Sequence, residues 1–123
     1  MRKGKVPNNS SGVVGELVAA KELQAHGFEI LCRNYHTRFG EIDIIVKDSL
    51  YIIFVEVKTR ETGSLSHPFE AITSAKQKKI ILAAQDYLQN NPSNLQPRFD
   101  AIAVITEKGK VESVTHLENA FMA

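Results

Sequence analysis

Apolar positions change their spacing along the chain, and each change marks an element. From about Gly12 to His26, Val14, Leu17, Val18 and Ala25 recur at helical intervals. Ser10 or Ser11 is placed to cap this helix and Gly27 to end it. Glu16 lies off the stripe, on a flank shared with Ala20 and Leu23. "FEILCRNY" then reads as a strand, and "HTRFG" as a loop. Two runs rich in β-branched and aromatic residues follow, Ile42 to Val46 and Tyr51 to Val57. The polar break Lys47-Asp48-Ser49 between them predicts a β-hairpin. "RETGSLSHP" is turn-rich loop, with a short helical turn at "PFEAI". A second helix is expected from Ser74 to Asn90, stopped by Pro92, its buried face formed by Ile80, Ile81, Ala84, Tyr87 and Leu88. "RFDAIAVIT" reads as a buried strand, and "EKGK" turns the chain into a last strand, "VESVTH". The residues through Ala123 have no assigned element, so the order is α-β-β-β-α-β-β.

With 123 residues and 43% hydrophobic content, one domain with a single core is expected from residue 12 to 123, behind a flexible segment of residues 1–11. This composition excludes global disorder. A formal net charge of +1 does not by itself point to nucleic acid. The single cysteine, Cys32, allows neither an internal disulfide nor a cysteine zinc cluster, and is read as a core residue. There is no membrane-length apolar run and no secretory signal, so a cytoplasmic location is expected.

Charge enters where the pattern is most apolar. Asp43, Glu56 and Lys58 sit in or at the ends of the two hairpin runs, where unpaired charges are rarely buried. Glu56 and Lys58 alternate onto one face with Ile52 and Phe54. Asp43 joins that face only if opposed residue numbers in the hairpin sum to an odd constant, which is the register predicted here. Two carboxylates about 4 Å apart repel by roughly 4 kcal/mol at an effective dielectric of about 20. That is a large share of a domain's stability, so the arrangement calls for a partner. Lys58 offers partial relief, and a hard divalent cation offers more. Carboxylates, a metal and a lysine on one face suit phosphodiester hydrolysis. A solvated Glu–Lys cross-strand pair is the plainer alternative for Glu56 and Lys58 taken without Asp43.

Asp43 followed by Glu56-Val57-Lys58 resembles the PD-(D/E)xK nuclease superfamily. More closely, "GELVAAKEL", "GEIDIIVKDSLYIIFVEVKTR" and "RFDAIAVI" resemble the YraN family, small bacterial proteins related to Holliday junction resolvases. Ile42 stands where the superfamily has a nominal proline. The resemblance implies an α/β, restriction-endonuclease-like α-β-β-β-α-β core. Its central mixed sheet would be flanked by helices, with an extra C-terminal strand. It also implies that Asp43, Glu56 and Lys58 are catalytic. Asp43, Glu56, the Val57 carbonyl and Glu16 would be ligands or near-ligands of Mg²⁺ or Mn²⁺. The function implied is a metal-dependent endonuclease on DNA, with branched or irregular DNA as candidate substrate and a homodimer as candidate assembly; the alternative is a non-catalytic nucleic-acid-binding or assembly module.

Arg60 and Lys76 are the candidate phosphate contacts, and the loop Glu61 to His67 could order over a substrate. Convergence of Lys58, Arg60, Lys76, Lys78, Lys79 and Arg98 on one side would offset the near-neutral total charge. Asp100, in an apolar strand, is read as structural, paired with Arg98 or Lys58. Glu41 alternates away from Glu56 and is left out of the metal shell.

Overall fold

A computed structural model describes the backbone from Ser10 to Ala123, with side chains from Gly12 onward. The elements are α1 (Ser10–Ala25), β1 (Glu29–His36), β2 (Glu41–Lys47), β3 (Tyr51–Glu61), α2 (Ser74–Asn90), β4 (Gln96–Glu107) and β5 (Lys110–Phe121). A 3₁₀ turn at Pro68–Ala71 precedes α2, where a helical turn is expected. The strands form one sheet in sequence order. β3 and β4 pair in parallel, and every other neighbouring pair is antiparallel. A parallel pair needs a long crossover, which α2 supplies. This is the expected α/β core with its extra C-terminal strand. Among the described residues no helix is long and apolar enough to cross a membrane.

Each helix covers one face of the sheet. Ala19, Ala20 and Leu23 of α1 pack on Ile44, Val46, Ile53, Val55 and Val57. Ile80, Ala83, Ala84 and Tyr87 of α2 pack on Ile45, Ile52, Phe54, Phe99 and Ala101. Burial on both faces explains why the hairpin runs are apolar at nearly every position.

Four expectations are corrected. The helix α1 begins at Ser10 rather than Gly12, and the capping side chains proposed at Ser10 and Ser11 lie outside the described residues, as do residues 1–9 of the expected flexible segment. Its buried stripe is also the other one: Val14 and Leu17 are 38% and 44% exposed, whereas Ala19 and Leu23 are fully buried. Small residues decide this, because they let α1 lie close to the sheet. A Cβ on Gly15 would overlap the Thr59 hydroxyl and lie 3.3 Å from Thr59 Cβ. Third, β3 continues through Arg60 and Glu61, which pair with Ile105 and Thr106 of β4. Fourth, the unassigned tail extends β5 to Phe121, whose ring stacks 5.1 Å from that of Phe99.

Gly15→Ala tests the close approach of α1. In an open helix the change stabilises by up to about 1 kcal/mol. Here it should lower the melting temperature, read by circular dichroism, and Thr59→Ala in the same chain should restore it. A rise on Gly15→Ala alone would contradict the packing.

On β4 beside Val55, on the face that α1 covers, Asp100 is fully buried and pairs with Arg98, not Lys58. Its carboxylate accepts from Arg98 Nε and Nη2 at 2.9 Å each and from the Asn119 N–H at 2.9 Å, with His116 Nε2 at 2.7 Å. Burial pushes its pKa up, but His116, Arg98 and Asn119 outweigh that and hold it below the usual carboxylate range.

Candidate functional site

The hairpin register decides where its charges meet. Ile44↔Val55, Ile45↔Phe54, Val46↔Ile53 and Lys47↔Ile52 give a constant sum of 99, the odd value expected. Continued by one residue, that register sets Asp43 opposite Glu56. The regular pairing stops at Ile44, however, and the alternation of β2 breaks there. Ile42 packs on the α2 side with Ile45, while Ile44 faces α1. In place of the next ladder bond, Asp43 Oδ2 accepts the Val57 N–H at 2.8 Å. A strand residue sends its N–H and C=O from the same edge, so the Val57 carbonyl also leaves β3 toward Asp43.

Glu56 is 4% exposed. One of its oxygens, Oε2, lies 3.4 Å from Lys58 Nζ and 3.3 Å from Lys76 Nζ. Tight charge-assisted bonds run to about 2.7–2.9 Å, so these two contacts are loose and exchangeable. Lys76 arrives from the first turn of α2, which Thr73 caps by accepting the Lys76 N–H at 3.2 Å.

Burial and the neighbouring Glu56 push Asp43 up to about 7, against the pull of the Val57 N–H and Lys58; Glu16 adds to the push. Glu16 is itself raised by burial and by Glu56 and Glu41, while Arg33 opposes the rise. Thus Glu16, carried in by the Gly15 contact with Thr59, lies within electrostatic reach of the pair. It does not complete a cluster: among the described residues no three His, Cys, Asp or Glu side chains converge as a ready metal cage. The donor set is two carboxylates and a backbone carbonyl. Hard oxygens with a surplus of negative charge fit Mg²⁺ or Mn²⁺ better than softer metals.

The other expected contacts divide. Lys76 and Lys79 line a cavity of about 370 Å³ together with Asp43 and Glu56. Arg60 does not line it, and its Nη1 instead donates to the Thr59 carbonyl at 2.9 Å. Arg98 is also excluded from the expected cluster. It pairs across from Ile53, whereas Ala103 pairs with Lys58. Five residues along a strand is about 17 Å. Glu41, left out of the metal shell, lines the same cavity as the carboxylate pair, but its side chain is exposed and lies 3.7 Å from His36. The loop Glu61 to His67 is exposed, with its Thr62 N–H tied to the Thr106 carbonyl at 2.7 Å. Missing from the sequence reading is the part of the cavity lining formed by His36 to Gly40. Its signal was Gly40, where a Cβ would lie 3.1 Å from Lys79 Cβ. Two larger hollows, about 400 and 570 Å³, lie elsewhere, and neither gathers two acidic side chains.

The Asp43 shift fixes the sign of a pH effect. Its carboxyl holds a proton to about pH 7 in the folded protein, against about pH 3.9 in an unfolded chain. Metal-free protein should therefore gain stability as pH falls from about 8 to 5 and level off below about 4. Asp43→Asn should flatten this rise and melt above the parent at pH 8. Melts in a chelator across this range check it; parallel curves for the two proteins would refute it.

Comparison with known proteins gives a consistent answer. Uncharacterised protein family UPF0102 matches residues 15–104. A UPF0102 protein of Chlorobium phaeobacteroides is 43% identical over 118 residues, covering 91% of this chain and 93% of the relative. One from Caldanaerobacter subterraneus subsp. tengcongensis is 43% identical over 120 residues, covering 95% and 98%. One from Syntrophotalea carbinolica is 46% identical over 113 residues, covering 91% of each. The matched span includes Glu16, Asp43, Glu56, Lys58 and Lys76, and it bears out the resemblance to the YraN family, another name for UPF0102.

Proposed function

We propose that this chain, which belongs to Uncharacterised protein family UPF0102, is a metal-dependent endonuclease that hydrolyses DNA phosphodiester bonds. The observation that carries this is the meeting of Asp43 and Glu56 beside Lys58, at the point where β2 and β3 part. Asp43, Glu56 and the Val57 carbonyl would hold Mg²⁺ or Mn²⁺, with Glu16 in reach of its waters. Bound there, such a cation would supply Lewis acidity toward the scissile phosphate and a lowered pKa for its water.

The remaining work falls to the chain's own groups. The Val57 N–H fixes Asp43 Oδ2 and so aims its other oxygen. Above about pH 7 Asp43 is ionised and competent as a ligand. Lys58, held beside Glu56, orients the attacking water or steadies charge developing on the phosphate. Lys76 reaches Glu56 from the cavity wall and is long enough to turn to a phosphate oxygen instead. Arg60, beyond the cavity, would contact the backbone farther along. Branched or irregular DNA is the proposed substrate, by likeness to resolvases. A homodimer would match its symmetry, and a location in the cytoplasm would match the reaction.

Glu56 contacts two lysines in the free protein, and this observation favours a second reading. A non-catalytic nucleic-acid-binding or assembly module would use the lysines to neutralise the site without a cation. Incubation with linear, single-stranded, flap and four-way-junction DNA in Mg²⁺ or Mn²⁺ separates the two. Cleavage abolished by a chelator is expected. Binding that weakens steeply with salt, without cleavage at high protein concentration, would select the module.

A further inference from the structure

We propose that the turn Thr37 to Gly40 is a nucleotide subsite, in which Phe39 stacks on the base of an unpaired nucleotide and Arg38 holds that strand's phosphate. The inference deepens the nuclease reading by naming a single-stranded or unpaired substrate segment, and its readout does not depend on cleavage.

Aromatic usage is the first observation. The chain has six Phe, three Tyr and no Trp. Eight of these nine rings pack in or against the two core clusters, and Phe39 alone belongs to neither. It is half-buried and lines the carboxylate cavity instead. A core role does not explain its place.

The turn is also built to hold still. The Thr37 hydroxyl accepts the Phe39 N–H at 3.0 Å and the Gly40 N–H at 3.1 Å, and the Thr37 N–H reaches the Gly40 carbonyl at 2.9 Å. Gly40 is seated on α2, with room for no Cβ without displacing Lys79. A rigid support of this kind lets a ring bind with little ordering cost.

Charge completes the set. The exposed Arg38 lies with its guanidinium 4.9 Å above the Phe39 ring, and Lys76 and Lys79 line the same cavity. An aromatic face among cations is how single strands are bound without sequence preference. A base can stack on Phe39 only when its own face is free, which excludes one inside a duplex stack. At about 370 Å³ the cavity lies near the lower end of small-ligand sites, about 300–1,000 Å³, a fit for one nucleotide and not for a double helix.

Phe39→Trp introduces the chain's only tryptophan, so its fluorescence reports this position alone. A short single-stranded oligonucleotide should quench it, in chelator or with Ca²⁺, and a blunt duplex of equal length should do so far less. Phe39→Leu, which keeps an apolar side chain, should bind the single strand about 5- to 150-fold more weakly. Arg38→Ala should weaken binding and flatten its salt dependence. Equal quenching by duplex, no quenching under either condition, or unchanged affinity in Phe39→Leu would overturn the subsite. Quenching without any cleavage would leave the subsite standing and remove the nuclease reading. Cleavage with no quenching would do the reverse.

Discussion

Lys58→Ala should lower metal-dependent cleavage by about 10²- to 10³-fold while leaving the protein folded. The magnitude is that of removing one preorganised donor from a site where charge develops. The fold survives because Glu56 keeps a second cation, Lys76, 3.3 Å from the same oxygen. The Lys58 side chain is 22% exposed, so its truncation opens no core cavity. Lys58→Arg should recover little, since a planar fork cannot take the place of a compact ammonium. Single-turnover rates at saturating metal, compared with melting curves, separate the chemical loss from a structural one. Parental cleavage by Lys58→Ala would remove this lysine from the chemistry.

The largest effect on stability should come from Asp100→Ala, about 3–5 kcal/mol in denaturant unfolding. The change strips four contacts from a fully buried carboxylate. It leaves Arg98 with Glu118 at 3.9 Å as its nearest remaining acidic partner. It also frees Asn119, and with it the end of β5 that brings Phe121 onto Phe99. The sign with pH follows from the depressed carboxyl: its contribution is present above about pH 4 and lost as pH falls through the lower folded value. Asp100→Asn keeps part of the bonding and should cost less. A loss below about 1 kcal/mol for Asp100→Ala would mean that the network contributes little to stability.

Much of this architecture is legible in the chain because periodicity and punctuation agree. Gly27 ends α1 with a φ of +92°, and Lys108 and Gly109, both with positive φ, make the tight turn into β5. The odd hairpin register follows from asking that Asp43 share a face with Glu56, and the paired residues from Ile44 to Lys47 have it. The wrong stripe on α1 shows where such reasoning fails. A stripe of valine and leucine is the stronger hydrophobic signal, but close packing on a sheet selects glycine and alanine, and only Thr59 reveals that. Likewise, Lys76 lies 20 residues beyond Glu56 in sequence, and no spacing rule could place it 3.3 Å away. The crossover through α2 does that. Arg98 was grouped with the site by charge alone, whereas its buried neighbour Asp100 holds it elsewhere.

The central claim is that Asp43 and Glu56 together hold a divalent cation. Titration of Mn²⁺ into the protein at pH 8, followed by electron paramagnetic resonance of the free ion, tests it without any substrate. Saturable binding is expected. It should weaken as pH falls below about 7, where Asp43 takes up its proton, and should be lost in both Asp43→Asn and Glu56→Gln. No uptake of Mn²⁺, or uptake undiminished in those variants, would contradict the claim.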